Sequence, residues 1–252
     1  MTEFRIKTPV EIAVMAKGGK MLGEIRDKLA EVVKAGVTPL MLDKLADKLI
    51  AQSGGQASFK MVPGYSHATC INVNEVVVHG IPDDRVFGEG DVVGIDVGLY
   101  YQGFHIDTSV TVAVGKVDSL TRKFLETGRE ALEKAIAQAK PGRRIADLSE
   151  AMQTAVEKHG YSVVRALTGH GVGRQLHEEP AIPCFVMGEK RHSPKIVPGM
   201  VLAIEVMYNQ GTYEVVYKNR DGWTIITADG KISGLFEETV AVTKSGPVIL
   251  TQ

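Results

Sequence analysis

The sequence predicts an α+β fold made of two similar halves, each with strands packed beneath an outer layer of helices. Two helical segments precede a strand-rich segment, and this order occurs twice along the 252 residues. The helix-breaking glycines repeat as well: Gly36 and Gly54 stand 18 residues apart, as do Gly142 and Gly160, and the two pairs are offset by 106 residues. This repeat indicates a duplicated unit. Because no linker separates the halves, we expect one domain over residues 1–252.

The first half begins with two predicted helices. Apolar residues recur at helical spacing over residues 10–34, and Gly36-Val37-Thr38-Pro39 ends that pattern. A second helix follows and ends at Gly54-Gly55. Residues 71–114 are rich in Val and Ile, with Gly, Pro and Asp at the breaks, which is typical of strands.

The second half repeats this order. Residues 120–160 have helical spacing with a break at Lys140-Pro141-Gly142, and residues 163–250 are again strand-like. Under the 106-residue offset, Leu42 aligns with Leu148, so apolar positions match as well as glycines.

Composition and charge narrow the class of protein. Hydrophobic residues make up 44% and charged residues 23%, as in ordinary soluble domains. The formal net charge of −1 gives no field that would gather nucleic acid or an anionic membrane, so we expect neither as a partner. The two cysteines, Cys70 and Cys184, offer no disulfide framework. With no signal-peptide pattern at the N-terminus, we expect a cytoplasmic protein.

Four carboxylates lie inside apolar, strand-like runs: Asp96, Asp107, Glu205 and Glu237. An ionised carboxylate there costs several kcal/mol unless it is paired or coordinates a metal. A single one could meet an arginine, but four with few arginines nearby favour a metal site. Their combined charge of −4 would balance two divalent cations, which can activate a bridging water.

The first two carboxylates have a predicted geometry. If Gln102-Gly103 is a two-residue hairpin turn, Gly98 faces Asp107 across the ladder. Asp96 lies on the same strand face as Gly98, so the two aspartates become diagonal neighbours about 7–8 Å apart. Because Gly98 has no side chain, we expect it to leave space for the ions.

Three histidines are candidate site residues. His170 lies among glycines in Gly169-His170-Gly171, where backbone can approach a ligand closely, while His177 and His79 lie in other short motifs. Each histidine taken alone is also compatible with a structural or exposed role. One imidazole with four carboxylates is a mainly hard ligand set. Such a set favours a site for Mn or Fe over a thiolate-type zinc site.

Six motifs together give the chain a resemblance to type I methionine aminopeptidases over essentially its whole length. They are Cys70–Glu75 with His79–Pro82, Ile95–Gly98, His105–Thr108, Gly169–Gly173, His177–Pro180 and Ile204-Glu205. The resemblance implies the pita-bread fold, in which two pseudo-symmetric α/β halves surround a curved antiparallel sheet. It also implies removal of the initiator methionine from nascent proteins with a small second residue, by attack of a metal-bridging hydroxide.

The resemblance assigns roles motif by motif. Two divalent ions (Mn, Fe, Co or Zn) would be held by Asp96, Asp107, His170, Glu205 and Glu237. Glu205 would also be the general base, and His79 and His177 would hold the substrate and the tetrahedral intermediate. Tyr65, Cys70 and Trp223 would line the methionine pocket, next to Phe59 and Leu176, whose residue types differ from those expected. A monomer is expected, and transient contact with ribosomes is compatible with the substrate.

The chain departs from the family pattern at four positions. Val206 stands in place of a proline, Glu238 in place of a histidine, Leu235 where glutamine is common and Ile106 where a small residue is common. The second departure leaves two neighbouring glutamates as candidate ligands, of which register favours Glu237.

Two alternative functions stay open at this stage. An Xaa-Pro aminopeptidase or prolidase would share the fold and the ligand types, although such relatives usually carry a large extra N-terminal domain. A non-catalytic relative that only binds partners would be marked by a lost ligand or by basic tails, and the sequence has neither.

Overall fold

The computed structural model describes residues 4–218 and 221–252. The predicted order of helices and strands is confirmed. The helices are α1 Pro9–Glu31, α2 Pro39–Gln52, α3 Ser119–Gln138 and α4 Ile145–Glu157, with short 3-10 turns at Phe59–Met61 and Lys190–His192. The strands are β1 Gln56–Ala57, β2 Thr69–Val73, β3 Val76–Val78, β4 Val92–Tyr101, β5 Phe104–Ala113, β6 Ser162–Val163, β7 Thr168–Gly171, β8 Glu178–Pro183, β9 Val201–Asn209, β10 Val215–Tyr217, β11 Ile225–Thr227, β12 Ser233–Thr243 and β13 Gly246–Ile249.

Ten of these strands form one antiparallel sheet. Its order is β1-β4-β5-β12-β9-β7-β8, with β2 beside β4, β13 beside β12 and β6 beside β9. Strands β10, β11 and β3 form a second, smaller sheet. The halves meet where β5 lies beside β12, and there Glu237 opposite Ser109 is the one register pair that joins the two strands. The junction therefore coincides with the strands that carry Asp107 and Glu237.

The glycine repeat seen in the sequence is also a repeat of backbone conformation. Gly36 and Gly142 have φ angles of +89° and +88°, and Gly54 and Gly160 have φ angles of +77° and +79°. Positive φ is tolerated by glycine because it has no Cβ. One pair precedes helices α2 and α4 and the other follows them, which supports the duplication inferred from spacing.

Capping residues fix where the first helix starts. The Thr8 side chain accepts a hydrogen bond from the Glu11 amide at 3.3 Å, and the Glu11 carboxylate accepts one from the Thr8 amide at 2.7 Å. This reciprocal capping box satisfies two amide groups that the first turn leaves free. Pro9 stands at the first helical position, where its missing N–H is not needed.

Each half has its own apolar core beneath its pair of helices. Leu22 and Leu42 belong to the core under α1 and α2, and Phe124 and Leu148 belong to the core under α3 and α4. All four side chains are buried, including the aligned pair Leu42 and Leu148. Within the part of the chain that the structure describes, no helix has the length and apolar character needed to cross a membrane.

Candidate metal centre and substrate pocket

The β4–β5 hairpin has the register predicted from its turn. Gln102 and Gly103 both have positive φ, as a two-residue type I′ turn requires. Gly98 therefore lies opposite Asp107, and Asp96 lies two residues further along β4. The diagonal relationship between the two aspartates is confirmed.

The space beside Gly98 is occupied by protein atoms, contrary to the prediction. A Cβ at this position would lie 2.8 Å from Phe59 Cε1 and 2.8 Å from Ser58 Cβ. The expectation that Gly98 leaves space for metal ions is therefore wrong. The missing side chain instead lets the segment that carries Phe59 pack directly on the strand.

Strands of the second half supply the remaining candidate ligands. Glu205 on β9 lies directly opposite Glu237 on β12. His170 on β7 lies opposite Ala203 of β9. A Cβ at Gly169 would lie 2.7 Å from the Ala203 carbonyl oxygen, so this glycine permits the close approach of β7 to β9.

All five candidate ligands line one cavity. One ligand atom each from Asp107, His170 and Glu237 lies within 4.8 Å of the others, and all three residues are buried. Asp96 and Glu205 line the same cavity outside this group of three. Asp96 Oδ1 and Glu237 Oε1 are buried without a hydrogen-bond partner among the described residues. Such acceptors cost free energy unless a cation or donor meets them, so they fit a metal site.

The four carboxylates also perturb one another. Burial raises the pKa of Asp96 to about 7. Burial raises the pKa of Asp107 well above its usual range, and the neighbouring Asp96 and Glu205 carboxylates raise it further. The pKa of Glu205 and that of Glu237 rise for the same two reasons, burial first and neighbouring carboxylates second. A divalent cation among them would favour the ionised forms.

The tautomer and the protonation state of His170 suit a metal ligand. Its Nδ1 lies 2.9 Å from the Gly171 carbonyl oxygen, and because a carbonyl only accepts, Nδ1 carries the proton. Nε2 therefore keeps its lone pair for a metal. Burial, followed by the nearby His177 imidazole, lowers the pKa of His170 to about 3, so the ring is neutral at physiological pH.

The two neighbouring glutamates on β12 point to different environments. Glu237 lines the cavity. Glu238 instead accepts a hydrogen bond from Arg26 Nη1 at 2.9 Å and does not line the cavity. The geometry thus favours Glu237 as the candidate ligand, in agreement with the register argument.

An apolar pocket adjoins the carboxylates in the same cavity. Tyr65, Cys70 and Trp223 line it together with Phe59 and Leu176. The Tyr65 hydroxyl donates to the Thr69 carbonyl at 2.8 Å and lies 3.3 Å from Cys70 Sγ. The Trp223 and Tyr65 rings meet edge to face, with centroids 5.1 Å apart.

The two histidines that are not candidate ligands flank this cavity. His79 follows β3 and is half-buried, with a φ of +57° that is uncommon for a residue other than glycine. Burial and the neighbouring His177 lower the pKa of His79. His177 is more exposed, and its ring centroid lies 4.4 Å from that of His170.

Comparison with known proteins shows the family of this chain. Residues 13–244 match the sequence profile of metallopeptidase family M24. A methionine aminopeptidase of Bacillus subtilis is 42% identical over 246 residues, which are 98% of each chain. The crystal structure of a methionine aminopeptidase from Thermotoga maritima superposes with a TM-score of 0.95 at 42% identity, covering 99% of this chain and 100% of that one. This chain belongs to the methionine aminopeptidases of family M24.

The fold of this family is confirmed as well. A prolidase from Pyrococcus furiosus also superposes, with a TM-score of 0.79 over 98% of this chain and 65% of its own. At 24% identity this likeness shows the fold alone. The chain therefore has the pita-bread fold predicted from the resemblance, and the family assignment makes it a metal-dependent peptidase.

Two lining residues escaped the sequence analysis. Val62 and Val78 also face the cavity. Val78 belongs to an apolar strand, and Val62 follows a short 3-10 turn. Aliphatic residues in such positions look like ordinary core residues, so the sequence held no signal that separates them from the core.

Proposed function

We propose that this chain removes the initiator methionine from new proteins whose second residue is small. The observation that carries this proposal is one cavity in which a carboxylate-rich centre adjoins an apolar pocket. Such a cavity can hold an apolar side chain at one end and a peptide bond beside the reactive centre. The methionine aminopeptidases to which the chain is similar support the choice of methionine.

Five residues are proposed to hold two divalent ions (Mn, Fe, Co or Zn): Asp96, Asp107, His170, Glu205 and Glu237. The donor set fits, because carboxylates and one neutral imidazole suit such ions. Charge fits too, since four carboxylates would balance two divalent cations, and none of the four forms an ion pair within the described ranges. When bound, the ions would polarise the scissile carbonyl and acidify a water.

Glu205 is proposed as the general base. Its side chain lines the cavity, opposite Glu237 on the neighbouring strand. A carboxylate in this place can take a proton from the attacking water and return it to the leaving amine. Because Glu205 lies among the candidate ligands in the cavity, that proton would be held near the reacting atoms.

His79 and His177 are proposed to hold the substrate and the developing charge. Both rings face the cavity. The lowered pKa of His79 keeps its ring neutral at physiological pH, so that ring can donate one N–H to the oxygen of the scissile bond. A donor aimed at a developing oxyanion lowers the barrier because the charge is smaller in the ground state.

Tyr65, Cys70 and Trp223 are proposed to bind the methionine side chain. These three residues present sulfur and aromatic surfaces to the pocket. A thioether is flexible and polarisable, and it makes favourable contacts with aromatic rings. Burial raises the pKa of Cys70, so its thiol stays neutral and gives the pocket no charge.

The proposed setting is the cytoplasm, where the chain would act as a monomeric catalytic domain over residues 1–252 with transient ribosome contact. The two free cysteines, Cys70 and Cys184, are both buried and unpaired, which suits a reducing compartment. Light scattering on the purified protein would measure its oligomeric state.

The decisive experiment measures metal content and turnover together. Mn²⁺ binding is followed by calorimetry, and an anomalous-scattering map counts and identifies the ions. Hydrolysis of Met-Ala-Ser is compared with that of an Xaa-Pro peptide of equal length. We expect two ions and release of methionine. Cleavage restricted to the Xaa-Pro peptide, or no cleavage by the metal-loaded protein, would contradict the proposal.

A further inference from the structure

Threonine hydroxyls form hydrogen bonds between the two halves at their junction. Strands β5 and β12 share the one register pair described above, so few backbone hydrogen bonds join them. On one side of that pair, Thr108 Oγ1 donates to the Glu237 carbonyl oxygen at 2.8 Å. Further along the same side, Thr239 Oγ1 donates to the Asp107 carbonyl oxygen at 2.7 Å and accepts from the Asp107 amide at 3.1 Å. Two threonines therefore hold the backbones of two candidate ligands.

Arg26 of helix α1 orients the first of these hydroxyls. Its Nη1 donates to Thr108 Oγ1 at 2.8 Å. A hydroxyl has one hydrogen, so accepting from Arg26 leaves that hydrogen free to point at Glu237. The Thr108 amide also donates to Asp107 Oδ1 at 3.0 Å. One residue thus contacts both ligands, and Arg26 fixes its side chain.

Glu238 connects Arg26, through Thr251, to the backbone amide of Thr239. Its Oε1 accepts from Arg26 Nη1 at 2.9 Å, and its Oε2 accepts from the Thr251 hydroxyl. Thr251 Oγ1 in turn accepts from the amide of Thr239 at 3.1 Å. The network therefore runs from one buried ion pair to Thr108 of β5 and to Thr239 of β12.

We propose that Arg26 and Glu238 are positioning residues that keep Asp107 and Glu237 at the spacing a metal ion needs. The side chains of the pair are only 9% and 11% exposed, so Glu238 depends on Arg26 to balance its charge, while Arg26 also contacts the exposed Asp27 at 3.0 Å. Glu238 stands where the resemblance leads one to expect a histidine, and Arg26 supplies the cation that this substitution requires. The inference rests on the proposed function, since it assumes that Asp107 and Glu237 bind metal.

The test compares four variants with the wild-type protein. Arg26→Met and Glu238→Gln each remove one charge, their combination removes both, and Arg26→Lys keeps a cation with three donors. Ile50→Val, in the buried core of the first half and remote from the junction, is a control for general destabilisation. Each protein is measured for Mn²⁺ affinity by calorimetry, for kcat and KM on Met-Ala-Ser, and for melting temperature.

We expect both single variants to bind Mn²⁺ about 10–100-fold more weakly, as is usual when residues that support metal ligands are altered. Their kcat should fall while KM stays within about twofold, because the methionine pocket is untouched. The double variant should stay weak, since the contacts of Arg26 with Thr108 and of Glu238 with Thr251 are both lost or weakened. Arg26→Lys should recover most of the affinity, and Ile50→Val should lower only the melting temperature.

Two results would overturn the inference. If both single variants keep wild-type Mn²⁺ affinity while melting like Ile50→Val, the pair only stabilises the fold. A second contrary result is that Arg26→Met binds Mn²⁺ more tightly, Glu238→Gln binds it more weakly and the double variant binds it like the wild type. In that case the charges of the two residues, and not their positioning of the ligands, determine the Mn²⁺ affinity. Should the wild-type protein neither bind Mn²⁺ nor cleave the peptide, the proposed function fails, and that result is recognisable before any variant is made.

Discussion

Glu205 and Glu237 lie directly opposite each other on β9 and β12, so two carboxylates that line one cavity form a cross-strand pair. Like charges in this arrangement are destabilising, by up to about 1 kcal/mol even on exposed sheets. Here burial raises the pKa of both carboxyl groups, and the Glu205 carboxylate is among the neighbours that raise the pKa of Glu237 further. A cation between the two carboxylates, or a proton bound to one of them, is therefore needed to offset their repulsion.

Replacing the proposed base should abolish activity without unfolding the chain. We expect Glu205→Gln to lose at least 10²–10⁴-fold in kcat, the contribution typical of a general base, with a further loss from the altered metal site. The amide has nearly the same shape, so circular dichroism and the melting curve should remain cooperative. Glu214→Gln, at an exposed position, serves as the matched control and should keep full activity. Near wild-type turnover by Glu205→Gln would remove Glu205 from the mechanism.

Truncating the pocket wall should affect binding more than chemistry. We expect Trp223→Ala to raise KM for Met-Ala-Ser about tenfold, because the lost aromatic surface contributes about 1.5 kcal/mol. The value of kcat should change little, since this interaction is equal in the ground and transition states. Steady-state kinetics measure both constants, with the exposed Tyr217→Ala as the control. An unchanged KM would mean that methionine binds elsewhere.

The resemblance to methionine aminopeptidases implies a preference at both the first and the second residue of the substrate. We expect rapid cleavage of Met-Ala, Met-Gly and Met-Ser peptides and slow cleavage when the second residue is large. Phe59 and Leu176, whose residue types differ from those the resemblance implies, line the proposed methionine pocket, so they should change the preference at the first residue more than at the second. A peptide panel read by mass spectrometry tests this, and efficient release of leucine would reveal a widened pocket.

Removing metal should destabilise the protein, and more so at neutral than at mildly acidic pH. In the metal-free protein the pKa of Asp96 is raised from 3.8 to about 7, and the pKa values of Asp107, Glu205 and Glu237 are raised too. A raised carboxylate pKa means that the folded state binds more protons than the unfolded state. Stability therefore falls as pH rises from about 4, the unfolded value, through the folded value.

Thermal melting with EDTA or Mn²⁺ at pH 5.5 and pH 7.5 measures this effect. Asp96 alone should cost about 2 kcal/mol between these pH values, which corresponds to roughly 5 °C in melting temperature. Mn²⁺ should remove the pH dependence, because cations that bind only the folded state stabilise it by mass action. A melting temperature indifferent to metal at both pH values would show that the carboxylates do not share a metal.

Short-range patterns predicted the hairpin register correctly. A two-residue turn that includes Gly103 fixes which residues of β4 and β5 face each other, and therefore which side chains share a face of the sheet. The position of Glu238 could not be predicted in this way. Its environment depends on Arg26, which lies 212 residues away in the sequence. Gly98 was misinterpreted for a similar reason, since the residues that pack on it come from a separate turn. Contacts between distant segments leave no periodic signal.

The division of the ligands between two halves has a consequence during protein synthesis. Asp107 and Glu237 are 130 residues apart in the chain, yet their ligand atoms must come within 4.8 Å. At about 5–20 residues per second, a ribosome needs roughly 7–26 seconds to add the intervening segment. During that interval the first half carries two aspartates with no partner ligands. The proposed metal site is therefore completed only late in the synthesis of the chain.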